Sequence, residues 1–429
     1  MVLEKLLSAQ FEFEIEKAFK KILARNKMDE SLLEQDKDRL EILITKFDPY
    51  TEKELSKDFL IAACDGSGIE NLCQYQDNHI QLVNSSLIVL DTNTVNKQPM
   101  KIIDLKSIPS LNNGNLLKIF TFNHDNIDFK NSFIEFLQSL FPNTDLLEIF
   151  WKYYNDLDVW FEKLPIITSK KSLTQILGND IESYLLLRKP SENSVIQNDL
   201  RSTIELILIR KALLSDLKLK YLIIDGSMTI LEPLKIMEKR DSPRKLPFRD
   251  YLLRDICHHA RKKGTTLAAI SKTHTVPGSF LISKLATDLG FKDHWYCRIP
   301  GVKEKEGELN ITKSRIYIPP DLAVTYLARF YYLMPTLRID FDYYWWKEYI
   351  QDSDPKIQQQ NEIKIFKDLD FMAHEARWYG YPCPPAFAHE DCVITWDQQL
   401  IVSDKVVGVG KEMGLNERAL ISARRMIFS

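Results

Sequence analysis

Hydrophobic and polar positions change their spacing along this chain, and each change marks a different kind of element. Over the first residues Leu3, Leu7, Phe11, Ile15, Phe19 and Ile22 recur at steps of three and four, which puts them on one face of a helix. This predicts an amphipathic helical arm over residues 1–48, with a second short helix from Ser31 and an apolar stripe suited to packing or dimerisation. After Pro49 the runs become short and apolar. FLIAAC at 59–64 and SLIVLDT at 86–92 read as strands, with DGSG between them as a turn. A sheet domain is therefore expected from residue 49 to residue 429.

Around residues 130–165 the aromatic and aliphatic positions return to helical spacing, broken at Pro142 and Pro165. They predict a helical insertion at about 128–198 whose rings fill a core rather than stack on bases. From Asp199 onward a helix (LRSTIELILIRKALLSDLK) leads into the strand KYLIIDGSM, then a helix around Tyr251–Lys263 and the strand TTLAAISKT. Strands alternating with helices imply an α/β layer. The charged stretches at 238–245 and 302–308 read as exposed loops.

Composition narrows this picture. With 45% apolar residues in a chain of 429, no disulfide or structural metal is needed to stabilise the core. The 57 basic and 60 acidic residues leave a formal charge of -3, so any nucleic-acid surface must be a local patch. Six cysteines with no CxxC pair suit a reducing compartment. The charged N-terminal stripe is unlike a signal peptide, and no apolar stretch reaches membrane-spanning length; the expectation is a soluble cytoplasmic protein with no membrane partner. No GxxxxGK[ST] loop occurs, and GVGKEMG at 408–414 lacks both its spacing and its hydroxyl, so the chain is not expected to hydrolyse ATP.

The candidate chemistry lies in two apolar strands that each run into an acid followed by Gly-Ser, IAACDGSG at Asp65 and YLIIDGSM at Asp225. Carboxylates held rigidly at the ends of adjacent strands bridge hard divalent cations through oxygen ligands. Glu205, on the helix before the second strand, is placed to supply a third. Each acid has a purely structural alternative: Asp-Gly is a turn signal, and Glu205 ends a capping box begun by Ser202. In YGYPCPPAFAHEDC (379–392), prolines 382, 384 and 385 forbid a helix and stiffen the approach to His389. His389 then becomes a metal ligand or proton-transfer group, and Tyr381 a contact for phosphate or water. A zinc knot from His374, Cys383, His389 and Cys392 competes, with a spacing that fits no usual zinc pattern. RKKG at 261–264 and ARFYYLMPTLR at 328–338 are candidates to line a strand channel; the alternatives are a solvated turn for the first and core packing for the second.

The ordered set CDGS (64–67), an acid-bearing helix before LIIDGSM (222–228), Lys272 in AISKT, LMPTLRIDF (333–341) and GYPCPPAFAH (380–389) resembles the NurA nucleases from about residue 58 to the C-terminus. The resemblance implies an RNase H-like mixed β-sheet flanked by helices. It also implies Mg²⁺ or Mn²⁺, in a two-metal site, and action on DNA ends in end processing or anti-phage defence. The implied partners are a second copy of the chain and a HerA-type hexameric ATPase. Asp65, Glu205 and Asp225 match the family's acidic ligands, His389 and Tyr381 its C-terminal pair, and Lys272 a basic group near the phosphate. The long 92–198 region departs from compact members. Two rivals stand beside this reading. One is a catalytically silent DNA-binding subunit of a HerA-type complex. The other is a phosphatase with an aspartate nucleophile, which calls for a second acid where Ser67 and Ser227 stand.

Overall fold

The computed structural model describes residues 8–50, 59–76, 78–93, 100–112, 114–123, 193–228, 248–274, 276, 279–299, 323–416 and 420–422. Most of the expected insertion at 128–198, including its aromatic helices, lies outside them, as do the charged stretches 238–245 and 302–308. The N-terminal arm is one helix, α1 (Ala9–Glu41), not two. No proline or glycine interrupts that span, so nothing in the backbone chemistry ends the helix at Ser31.

Described residues form an eleven-stranded sheet. Its centre is a meander of β2 (Leu60–Tyr75), β3 (Asn78–Asp91) and β5 (Asn115–Asn123), antiparallel to one another. Beside β2 lie β6 (Leu219–Asp225) and then β7 (Thr266–Ser271), both parallel to it. The spatial order β5-β3-β2-β6-β7, with three antiparallel strands followed by two parallel ones, is the RNase H-like arrangement. Antiparallel β10 (Leu337–Asp342), β9 (Ala323–Arg329), β8 (Trp295–Ile299) and β1 (Ile44–Lys46) extend it beyond β7. Short strands β4 (Lys101–Ile102) and β11 (Leu420–Ser422) join β3 and β2. Strand Ile44–Lys46 thus carries the end of the N-terminal arm into the sheet.

DGSG is not a turn. β2 runs unbroken through Asp65, Gly66, Ser67 and Gly68 for sixteen residues. The reason for the glycines lies across the sheet rather than along the chain. A Cβ on Gly66 would lie 2.5 Å from Glu205 Oε1 and 2.6 Å from Arg201 Cγ, and one on Gly68 2.5 Å from Gln197 Nε2. The missing side chains let helix α2 (Asn193–Leu214) lie close over the strand.

Period-two burial gives the sheet two apolar faces, because both are covered. Ala62, Cys64, Leu222 and Ile224 pack against α2 and α3 (Phe248–Lys263), through Ile204, Leu208, Leu252 and Ile256. Ile61, Ala63, Tyr221 and Ile223 pack on the other face. There they meet α5 (Tyr343–Tyr349), α6 (Pro355–Met372) and α7 (Cys383–Cys392). Helix α4 (Ser279–Asp288) covers β8 in a smaller cluster with Trp295, and α8 (Trp396–Glu412) follows α7. Among the described residues no helix is long and apolar enough to cross a membrane.

Candidate metal centre

Register brings the first two acids together. Cys64 pairs with Ile224 in the parallel β2–β6 ladder, so Asp65 and Asp225 are the next neighbours and share a face. Asp225 closes β6, and the chain leaves it through Gly226 at φ +124, a conformation that glycine adopts without strain. Two hydrogen bonds fix that exit: Gly226 N donates to Ile270 O at 2.9 Å, and Met228 N donates to Asp340 Oδ2 at 2.9 Å. The acid of LRIDF therefore serves the loop behind Asp225.

Glu205 reaches the same place from α2, passing over Gly66. It is 8% exposed, and its nearest cation is Arg201, one turn earlier, with Nε 3.5 Å from Oε1. Burial, reinforced by Asp65 and Asp225 against the pull of Arg201 and Arg249, pushes its carboxyl up to about 8. Asp225 is raised for the same first reason, burial, and then by Asp65; Lys272, His389 and Tyr381 oppose the rise. Burial and neighbouring negative charge that raise Glu205 and Asp225 are both countered by a bound cation, which favours the ionised carboxylates.

His389 stands on a helix, contrary to the sequence expectation. Pro384 and Pro385 fall in the first turn of α7, where an amide hydrogen has no partner within the helix and proline's fixed φ suits the geometry. The helix is pinned by its end: Asn84 Nδ2 donates to Cys392 O at 2.8 Å, Asn115 Nδ2 donates to Asp391 at 3.2 Å, and Ser86 Oγ also donates to Asp391. His389 Nδ1 thereby sits 2.6 Å from Asp65 Oδ2, with its ring half open to solvent at 56%. Tyr381 is buried and its hydroxyl lies 3.5 Å from Asp225 Oδ1. Lys272, just past β7, places Nζ 4.0 Å from the centre of the Tyr381 ring. Asp65, within β2, thus has His389 in contact and Asp225 beside it on β6, Tyr381 and Lys272 stand next to Asp225, and Glu205 approaches from α2.

Cys392 was missed. Its Sγ, an Asp65 carboxylate oxygen and a His389 ring nitrogen lie within 4.8 Å of one another. Burial, then Asp65 and Glu205, push its thiol up to about 12. The signal was the HxxC spacing, which puts both side chains on one face of a helix; ruling out the helix hid it. No zinc knot forms, because His374 Nδ1 is 2.7 Å from Asp370 O and Cys383 Sγ lies 4.0 Å from Met100 Sδ. The RKKG turn does not line the site. It precedes β7, at the opposite end of the parallel strands from Asp225, and Lys263 Nζ donates to Leu213 O at 2.6 Å and Ser215 O at 3.1 Å. Lys263 thus caps the C-terminus of α2. In the 328–338 stretch Phe330 is core, whereas Tyr332 (53%) and Leu333 (69%) are exposed.

The raised Glu205 carboxyl makes stability depend on pH in a definite sense. An acid whose folded pKa, about 8, lies above its free value of 4.5 imposes no penalty below 4.5 and a full one above about 8. In chelator, the melting temperature of the wild type relative to Glu205→Gln should therefore fall as pH rises across that window. Mn²⁺ should restore it most at the alkaline end. Parallel melting profiles for the two proteins in chelator would contradict the assignment.

No family model and no curated protein matches the chain. Solved structures do. The chain is similar to the NurA nuclease from Sulfolobus solfataricus at 14% identity and a TM-score of 0.46, covering 95% of this chain and 98% of that one. A NurA structure bound to dAMP and manganese aligns at 13% identity and a TM-score of 0.39, over 96% and 99% of the two chains. Ciona intestinalis endonuclease V, in complex with a DNA containing an inosine, aligns at 10% identity and a TM-score of 0.27, over 90% and 98%.

Proposed function

We propose that this chain is a divalent-metal-dependent deoxyribonuclease of the NurA type, cutting DNA strands as an exonuclease, an endonuclease or both. The observation that carries the reading is the contact of Asp65 on β2 with His389 on α7 at 2.6 Å, with Asp225 on the adjacent strand β6 and Glu205 of α2 near enough for Asp65 to raise both. Oxygen donors with one imidazole fit Mg²⁺ or Mn²⁺. Asp65, Glu205, Asp225 and His389 would hold the metal, which in this reading is a pair of ions. Metal held by these residues would supply a water of lowered pKa and positive charge for the leaving oxygen of a phosphodiester.

The remaining residues position the substrate. Lys272, over the Tyr381 ring, adds positive charge beside Asp225 and offsets that of a phosphate. The Tyr381 hydroxyl, 3.5 Å from Asp225, is a donor that can turn to a phosphate oxygen once Asp225 is engaged. The exposed edge of His389 marks the side from which a strand enters. A phosphatase acting through an aspartyl nucleophile is disfavoured at Asp65, because Ser67 accepts a hydrogen bond from Ile394 N at 3.4 Å and no second acid stands there.

The proposal includes a division into an N-terminal arm (1–48) and a nuclease domain (49–429) bearing the insertion. It includes a homodimer, supported by exposed Phe13, Phe19, Ile22 and Leu23 on α1. It includes cytoplasmic placement, consistent with six free cysteines. A HerA-type hexameric ATPase in end processing or defence follows from the motif resemblance; with no P-loop in the chain, any motor is another polypeptide. The test is direct. Purified protein with labelled single- and double-stranded DNA should degrade it in Mn²⁺ or Mg²⁺ and spare it in chelator. Binding without cleavage in either metal would leave the silent DNA-binding subunit as the better description.

A further inference from the structure

The hard-ion reading leaves a buried thiol at the edge of the centre without a role. Cys392 lies three residues after His389 on α7, so both side chains project from one helix face. The residue is fully buried, and among the described residues the hydrogen-bond partner of its Sγ is the carbonyl of its own helix, His389 O, at 3.5 Å. Alanine at this buried position leaves a small cavity and serine a buried hydroxyl, so the two variants perturb the packing in different ways and share only the loss of sulfur. A carboxylate oxygen, an imidazole nitrogen and a thiol sulfur converge within 4.8 Å. Mg²⁺ takes oxygen, whereas mixed oxygen, nitrogen and sulfur donors suit Zn²⁺, Co²⁺ and related ions.

We propose that Asp65, His389 and Cys392 form a binding site for a thiophilic divalent ion, with Cys392 as a thiolate ligand. The inference rests on the reading of Asp65 and His389 as metal ligands and adds a soft donor to it. On binding, the thiol proton is released to solvent and the sulfur lone pair enters the coordination bond; no oxidant or reductant takes part. Because Asp65 belongs to both sets, a thiophilic ion at this site competes with Mn²⁺ for the centre. Zn²⁺ is therefore an inhibitor of the nuclease rather than its activator.

Co²⁺ added to the metal-free protein reads this without any activity assay. The wild type is expected to show the near-ultraviolet absorption of a sulfur-to-cobalt charge transfer, saturating at one ion per chain. Cys392→Ser and Cys392→Ala should lose it, while Cys64→Ser, which alters the other cysteine beside Asp65, should keep it. X-ray absorption on the wild type loaded with Zn²⁺ should show a sulfur neighbour at about 2.3 Å, a result that does not depend on any variant folding. A wild type without sulfur in either spectrum overturns the inference, as does loss of the band in Cys64→Ser alone. Manganese-dependent cleavage with no sulfur signal would remove the thiolate and leave the nuclease; a sulfur signal without cleavage would do the reverse.

Discussion

Asp225→Asn is expected to lower metal-dependent DNA cleavage by at least about a hundredfold while leaving the metal-free protein as stable as the wild type or more so. The side chain keeps its shape, so Tyr381 retains an oxygen to approach at the end of β6. What disappears is one negative charge, and the structure shows what that charge costs. Burial and Asp65 both raise Asp225, and Asp225 in turn helps raise Glu205. Removing it relieves Glu205, so the chelated variant should melt no lower than the wild type. It should also gain less from Mn²⁺. The two readouts move in opposite senses, which a misfolded variant cannot imitate. Undiminished cleavage by a well-folded Asp225→Asn would remove the centre from consideration.

How much of this was legible varies residue by residue, and the division has a physical cause. Asp225 could be read because everything that places it is local: an apolar strand, then an acid, then a glycine able to take φ +124. Asp65 was found for the wrong reason. Its Gly-Ser-Gly looks like turn chemistry, but the glycines answer to Leu82 and Ser85 on the neighbouring strand and to Gln197, Arg201 and Glu205, more than a hundred positions away. Close approach across a sheet leaves no local pattern beyond the smallness of the residue. Register was equally hidden, since nothing in either strand announces that Cys64 sits beside Ile224.

The C-terminal segment shows a different limit. Prolines were weighed as helix breakers, which holds inside a helix and reverses in its first turn. Placing Pro384 and Pro385 at the start of α7, rather than within a rigid loop, would have aligned His389 with Cys392 from sequence alone. The basic turn at 261–264 failed for a topological reason. Residues 261–264 enter β7 at its N-terminal end, whereas Asp225 closes the parallel strand β6 at its C-terminal end, so strand direction alone separates them.

Asp340 is the residue outside the centre whose loss should matter most. It is fully buried and bonded on both oxygens. Thr325 Oγ1 donates to Oδ1 at 2.7 Å, Arg338 Nε to Oδ1 at 2.9 Å, and Met228 N to Oδ2 at 2.9 Å. Asp340→Ala removes the carboxylate that pairs with the buried Arg338 guanidinium, at a cost of about 3–5 kcal/mol. A second effect follows, since Met228 N is left unpaired and the turn after Asp225 loses its tether. Replacing both members, Arg338→Met with Asp340→Leu, removes both charges and should recover most of the stability. It cannot supply an acceptor for Met228 N. The double variant should therefore fold well and still bind Mn²⁺ more weakly, read as a smaller rise in melting temperature at a given metal concentration. If metal binding recovers together with stability, Asp340 is a structural ion-pair partner alone and the link from β10 to Asp225 does not hold.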